Sequence, residues 1–255
     1  MRKRFLAVAF AAFLGVAAVA YAAERFQEAK PFVFDPGNTR LVQSGWLGGI
    51  GCPTGAHTFN GSSSAPYTDP ACPTGDQRDR ANEGLLLVKT GPTPNVASGG
   101  VVLKDVNGTA VTELGYDIRK PGVAADARGS HCGAGAPRFN ITTKDGRTFF
   151  LGCNSPPAPV QQAGNGWLRL RWGGAVPLMA YSTQGVLTNI TGFQVKQLSI
   201  VFDEGQDTGP DNFGLAVLDN IDVNSQLVGQ GAGPKTREGG DENGDDNNDD
   251  QGDDD

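Results

Sequence analysis

The residues most able to do chemistry crowd near the end of the chain. In SIVFDEGQDTGPDNFGLAVLDNIDV, Ser199 to Val223, stand Asp203, Glu204, Asp207, Asp211, Asp219 and Asp222. Like charges this dense repel one another, so they require water, a basic partner or a bound cation. If LAVLDNIDV is a strand, Leu215, Val217, Asp219, Ile221 and Val223 share one face. Ala216, Leu218, Asn220 and Asp222 share the other. The first set is the more apolar and is the expected core row, which puts Asp219 among aliphatic neighbours. A buried carboxylate without a partner is costly, so it needs donors, an arginine, a raised pKa or a cation. Calcium is the natural cation, a hard ion that takes roughly six to eight oxygens. The expected ligands are Asp219 with Asp203, Glu204, Asp207 or Asp211. The alternative is a solvated acidic turn with Asp219 bonded to backbone N–H groups.

Other chemistry has less behind it. The chain has 4 cysteines, Cys52, Cys72, Cys132 and Cys153. In an exported protein they read as disulfides before metal ligands or nucleophiles. The pairing Cys52–Cys72 and Cys132–Cys153 closes two local loops, each worth about 3 kcal/mol in the loop-entropy model. A zinc site would have to recruit His57 and His131 and lacks the short Cys spacing of such sites. Ser130, His131 and Cys132 are sequence neighbours, and strand neighbours point to opposite faces, so they form no nucleophile–base pair. No G-x-S-x-G elbow surrounds Ser130. A glycosidase needs two carboxyls set across a sugar bond, and nothing in the spacing singles out such a pair.

Export is read from MRKRFLAVAFAAFLGVAAVAYAAERF at the start. Arg2, Lys3 and Arg4, an Ala-rich apolar stretch and the Ala20-Tyr21-Ala22 site compose a secretory signal. Residues 1–22 are the expected signal, 23–228 one β-domain and 229–255 a disordered acidic tail. That tail is almost devoid of apolar residues and cannot offset its ordering entropy. No later stretch is apolar enough to cross a membrane. The net charge of −7 lies mostly in the tail, leaving the domain nearly neutral. A nucleic-acid partner, which needs a dense basic stripe, is excluded.

The positioning elements are strands. Glycine is abundant, helical periodicity is hard to find, and short alternations recur between turn signals, which suggests a sandwich or barrel. TELGYDIRK turns Leu114, Tyr116 and Ile118 one way and Glu113, Asp117 and Arg119 the other. PRFNITTKDGRTFFLGC is a hairpin turning at Asp145-Gly146. GWLRLRWGG sends Leu168, Leu170 and Trp172 inward and Trp167, Arg169 and Arg171 outward. GLLLVKTG and QLSIVFDE are further strands, the first apolar on both faces and therefore interior to its sheet. The Pro-rich CNSPPAPVQQAGNG reads as a crossover between two sheets, and 52–82 as a large disulfide-tied loop.

At the two ends the chain resembles something. LDNIDV, after its glycine-rich acidic loop, resembles the closing strand of jelly-roll β-sandwiches in the carbohydrate-binding-module and galactose-binding-like group. FVFDPGNTRLVQSGW, Phe32 to Trp46, is similar to the first strand of such modules. The resemblance implies a two-sheet antiparallel jelly-roll in which those strands meet. It also implies a structural calcium at Asp219, joined by Asp35, and sugar binding. The chain departs from the group where Asp35, in place of the usual glutamate, follows Phe34. Sugar binding would place aromatics beside polar groups: Trp167 with Arg169 and Arg171, and Tyr181. Arg119, Asp117, Arg138 and Asn140 are expected on neighbouring strands of one polar face. Aromatics are only 8% of residues, so few positions can form such a platform. The expectation is a secreted, non-catalytic, calcium-compatible glycan-binding sandwich. The alternatives are a surface or matrix protein with no small ligand and, below it, a glycan-active hydrolase.

Overall fold

The computed structural model describes residues 26–52, 54–57, 66–68, 75–76, 78–79, 81–120, 136–162, 167–203 and 213–231. Among them the regular structure is entirely β. The strands are β1 (Ala29–Phe34), β2 (Val42–Leu47), β3 (Thr54–His57), β4 (Pro66–Thr68), β5 (Gly84–Thr90), β6 (Ser98–Leu103), β7 (Ala110–Val111), β8 (Glu113–Arg119) and β9 (Arg138–Thr143). They continue with β10 (Thr148–Gly152), β11 (Val160–Gln162), β12 (Trp167–Gly173), β13 (Met179–Ser182), β14 (Leu187–Asn189), β15 (Phe193–Phe202), β16 (Phe213–Val223) and β17 (Gln226–Val228). No described helix is long and apolar enough to cross a membrane.

The strands form two antiparallel sheets. One runs β1-β6-β15-β9-β10-β13-β14, with β7 also pairing β15; the other runs β11-β12-β8-β16-β5-β2, with β17 also pairing β16. The short β3 and β4 pair with each other. The Asp145-Gly146 turn is present: Gly146 has φ +85°, and Thr143 N–H bonds Arg147 O at 2.9 Å. The stretch after Cys153 leaves β10 in the first sheet and enters β11 in the second, as its prolines suggested. β5 lies between β16 and β2, which accounts for its apolar residues on both faces.

The core fills the space between the sheets. Leu114, Tyr116 and Ile118 on β8 and Leu168, Leu170 and Trp172 on β12 face it from one side. Phe139 and Ile141 on β9 and Leu198, Ile200 and Phe202 on β15 face it from the other. Each such side chain contributes roughly 1.5–3 kcal/mol by leaving water. Tyr116 meets Phe139 and Trp172 with ring centroids 5.7 and 5.5 Å apart. Its hydroxyl donates to Pro137 O at 2.7 Å and accepts from Cys153 N–H at 3.1 Å, so the hydroxyl is satisfied in both directions. Lys89 also bridges the layers: from β5 its Nζ donates to Asp203 O at 2.7 Å, at the end of β15.

The expected core row on β16 is not continuous. Ala216, Leu218, Ile221 and Val223 face the core, whereas Val217 packs on the opposite face with Trp167 and Cys52. The cause is a β-bulge. Asp219 is opposite Asp117 and Asp222 is opposite Gly115, so Asn220 and Ile221 together face Tyr116 alone. Asn220 takes φ +45°, which an asparagine tolerates, and the extra residue exchanges the faces of the strand. The end strands also fail to meet: β1 pairs β6, and β2 is separated from β16 by β5.

Candidate functional site

The outer face of the second sheet carries several of the residues singled out in the sequence, and it is largely covered. β12, β8 and β16 lie side by side, aligning Arg169, Asp117 and Asp219 in one row and Arg171, Gly115 and Asp222 in the next. Asp117 is fully buried and receives Arg169 through Nε at 2.8 Å and Nη2 at 2.9 Å. It also accepts Arg171 Nη2 at 3.2 Å and Asn220 Nδ2 at 2.9 Å. Arg171 reaches past Gly115 to Asp222, with Nε 2.9 Å from Oδ2. Its path explains the glycine: a Cβ at position 115 would collide with the Arg171 side chain and with Leu170 O.

Trp167 does point away from the core, as the alternation requires, but it is only 2% exposed. Cys52, Val217, Ile50, Leu86 and Leu215 pack around it, so no aromatic face is presented to a ligand there. Arg169 and Arg171 are likewise committed to Asp117 and Asp222. Residues 50–52, 76, 81–83 and 229–231 contribute to the cover. Asn82 Nδ2 bonds Gly51 O at 3.1 Å, Gly231 N–H bonds Glu83 Oε2 at 2.7 Å, and Asp76 N–H bonds Asn220 Oδ1 at 3.2 Å.

Asp219 lies beneath this cover and is 1% exposed. Cys52 N–H donates to its Oδ2 at 2.5 Å and Asn220 N–H to its Oδ1 at 2.6 Å. Burial, aided by the charges of Asp117 and Asp79, pushes its carboxyl well above the usual carboxylate range. The other expected calcium ligands do not gather around it. Asp203 forms a bidentate pair with Arg138, both bonds 2.6 Å. Asp35 organises its own turn, accepting Thr39 Oγ1 at 3.1 Å and Arg40 N–H at 2.7 Å. Glu204, Asp207 and Asp211 lie outside the described residues. Among the described residues no group of three or more His, Cys, Asp or Glu is arranged to hold a metal ion. Cys52 and Cys153 are not free thiols, and their expected partners Cys72 and Cys132 also fall outside the described residues.

The residues expected on one polar face divide between the sheets: Asp117 and Arg119 on β8, Arg138 and Asn140 on β9. Arg138 lines an open groove, and Asn140 is paired with Phe150 at its side. On the solvent face of the first sheet, Phe150 and Tyr181 are directly paired across β10 and β13. Both are half-buried, while their strand neighbours Phe149 and Ala180 face the core. With Arg138, Asp203, Ser155 and Thr183 they line an open groove of about 460 Å³. The Arg138 guanidinium lies 5.9 Å from the Phe150 ring centroid. Aromatic surface, a fixed charged pair and hydroxyls therefore converge. Of the residues expected around a sugar, Tyr181 and Arg138 line this groove, and Trp167, Arg169 and Arg171 do not. Phe150 was readable from the alternation of TFFLG, which turns Phe149 and Leu151 inward. The Arg138–Asp203 pair was not, because it joins strands 65 residues apart in sequence.

No protein-family model matches the chain, and no curated protein matches it in sequence. Two solved structures align with most of its length, both family 11 carbohydrate-binding modules from Clostridium thermocellum. One, in complex with a β-1,3-1,4-mixed-linked tetrasaccharide, shares 12% identity at a TM-score of 0.36, covering 80% of this chain and 92% of that one. The other, from the cellulosomal cellulase Lic26A-Cel5E, shares 10% identity at a TM-score of 0.34, covering 82% and 92%. Identity and TM-score are low in both alignments.

Proposed function

We propose that this protein is a secreted, non-catalytic jelly-roll sandwich that binds extracellular glycan in the groove around Phe150 and Tyr181. The observation that supports this reading is the paired, half-exposed aromatics beside the bidentate Arg138–Asp203 pair. Pyranose rings offer apolar C–H faces that rest on aromatic carbon, and hydroxyls that exchange hydrogen bonds with fixed charged groups. Such pockets, apolar with a few convergent polar groups, are the usual form of small-ligand sites. The carboxylate of Asp203 is held by an arginine, so the groove reads as a binding surface and not as an acid–base pair.

The test is retention on insoluble polysaccharides and glycan arrays. Wild type is retained, and Tyr181→Ala and Phe150→Ala each weaken binding about tenfold or more, equivalent to ~1.4 kcal/mol. Absence of retention for folded wild type would leave a surface or matrix protein without a small ligand. Release of soluble sugar would instead favour the hydrolase.

Export through the signal, and closure of loops by Cys52–Cys72 and Cys132–Cys153, belong to the same proposal. So does calcium at Asp219 with Glu204, Asp207 or Asp211, since Asp203 is taken by Arg138. A cation there would displace the proton that burial favours on Asp219 and would share its carboxylate oxygens with the Cys52 and Asn220 N–H donors. Saturation at about 100-fold above Kd stabilises by ~2.7 kcal/mol. Chelation is therefore expected to lower the Tm of wild type and not of Asp219→Asn. An unchanged wild-type Tm returns Asp219 to its N–H donors alone.

A further inference from the structure

The groove is one end of a longer feature. Strand register sets Lys30, Val102, Ser199, Asn140, Phe150 and Tyr181 side by side across β1, β6, β15, β9, β10 and β13. All lie on the solvent face, alternating with core residues such as Leu103, Leu198 and Ile141. A second row beside it aligns Phe32, Gly100, Val201 and Arg138. Phe32 is half-buried, and its ring lies over Gly100, where a Cβ would stand 2.7 Å from Cζ. An aromatic therefore stands towards each end of this face. Neighbouring strands are ~4.8 Å apart, so the four steps from the strand of Phe32 to that of Phe150 span about 19 Å.

The floor between them is low and carries no uncompensated charge. Gly100 has no side chain, Ser199 and Asn140 offer short polar groups, and Arg138 is neutralised by Asp203. Lys30 stands exposed at the margin.

We infer that the ligand is an extended, neutral glycan chain lying across the strands, running from Tyr181 towards Phe32, and not a single sugar held in the groove. This rests on the glycan-binding reading above. One strand step is close to the length of one linked pyranose ring, so successive strands offer contacts to successive units. These positions lie on strands already hydrogen-bonded to one another, so each added unit contributes contacts at little cost in ordering the protein.

The experiment is calorimetry with gluco-, xylo- and manno-oligosaccharides of two to six units. For the sugar that binds, affinity rises at least tenfold from the shortest to the longest chain. Phe32→Ala lowers affinity for the six-unit chain at least fivefold and leaves the two-unit chain unchanged, whereas Tyr181→Ala weakens both. Val102→Lys, a change at a half-exposed floor position that spares the core, gives the same length-selective loss in a variant whose Tm matches wild type. Affinity is unchanged between low and high salt. If two units bind as tightly as six, or if Val102→Lys leaves the long chain unaffected, the extended site falls while the groove survives. A steep salt dependence overturns the neutral ligand. If no length of any sugar binds, the groove reading falls as well.

Discussion

Asp117→Ala is expected to destabilise the fold by about 3–5 kcal/mol, the scale for removing one partner from a buried ion pair. Asp117 is fully enclosed, and its two oxygens take hydrogen bonds from Arg169, Arg171 and Asn220. Those donors were desolvated by folding and cannot turn to water, because the side chains of Arg169 and Arg171 are only 11% and 19% exposed. Truncation therefore strands positive charge beneath the cover of the second sheet. The lost Coulomb attraction is the smaller effect; the desolvated guanidinium groups left behind are the larger one. Urea denaturation at pH 7 measures the loss. The double variant Asp117→Leu with Arg169→Met is expected to recover part of it, since an apolar pair needs no compensation. A loss below about 1 kcal/mol would show that water reaches the row and that the cover is not closed.

The second large effect is a fall in stability as pH rises from about 5 to 8. Burial pushes the Asp222 carboxyl up to about 7, against the pull of Arg171 and with the help of Glu113. Among the described residues its Oδ1 has no hydrogen-bond partner. Burial likewise pushes Asp79 up to about 6, opposed by the Glu83 N–H and aided by the charges of Glu83 and Asp76. A carboxyl with a folded pKa above its unfolded value of ~4 holds its proton longer in the folded state. Its stabilisation is therefore complete below pH ~4 and is lost as pH climbs through the folded values near 6 and 7. The expected loss is about 2–4 kcal/mol, since each tenfold difference in acidity between folded and unfolded carboxyl is worth ~1.4 kcal/mol. Asp145, held well below the usual range by Arg147 and Thr143, has the opposite slope, felt only on the acid side of pH ~4. Urea midpoints between about pH 4.5 and 8.5, taken in chelator, should decline, and Asp222→Asn should flatten the upper part of the curve. Asp219, also pushed well above the usual range by burial, adds to the decline. Stability that grew from about pH 5 to 8 would therefore mean that all three carboxyls are ionised and fully compensated when folded.

The buried carboxylates also explain how the two faces of the molecule came to differ. The alternation of GWLRLRWGG correctly sends Trp167, Arg169 and Arg171 to the outer face of the second sheet. An outward residue is exposed only if nothing lies above it, and residues 50–52, 76, 81–83 and 229–231 do. That cover is assembled from stretches far apart in sequence. On the first sheet Phe150 and Tyr181 instead line an open groove, so their outward aromatic surface remains available.

Sequence by itself determined the all-β class, the face assignments of β8 and β12, the turn at Asp145-Gly146 and the proline crossover between sheets. These follow from a period of two and from the backbone freedom of a few turn residues, both local properties. Tertiary structure decided the rest. Asn220 adopts φ +45° and breaks the period of β16, because the extra residue lets Asp219 and Asp222 meet the Arg169 and Arg171 rows while Ile221 stays in the core. Which outward residues are covered, and which carboxylate an arginine claims, depend on contacts between distant segments, and one strand's residues do not encode what lies on top of it.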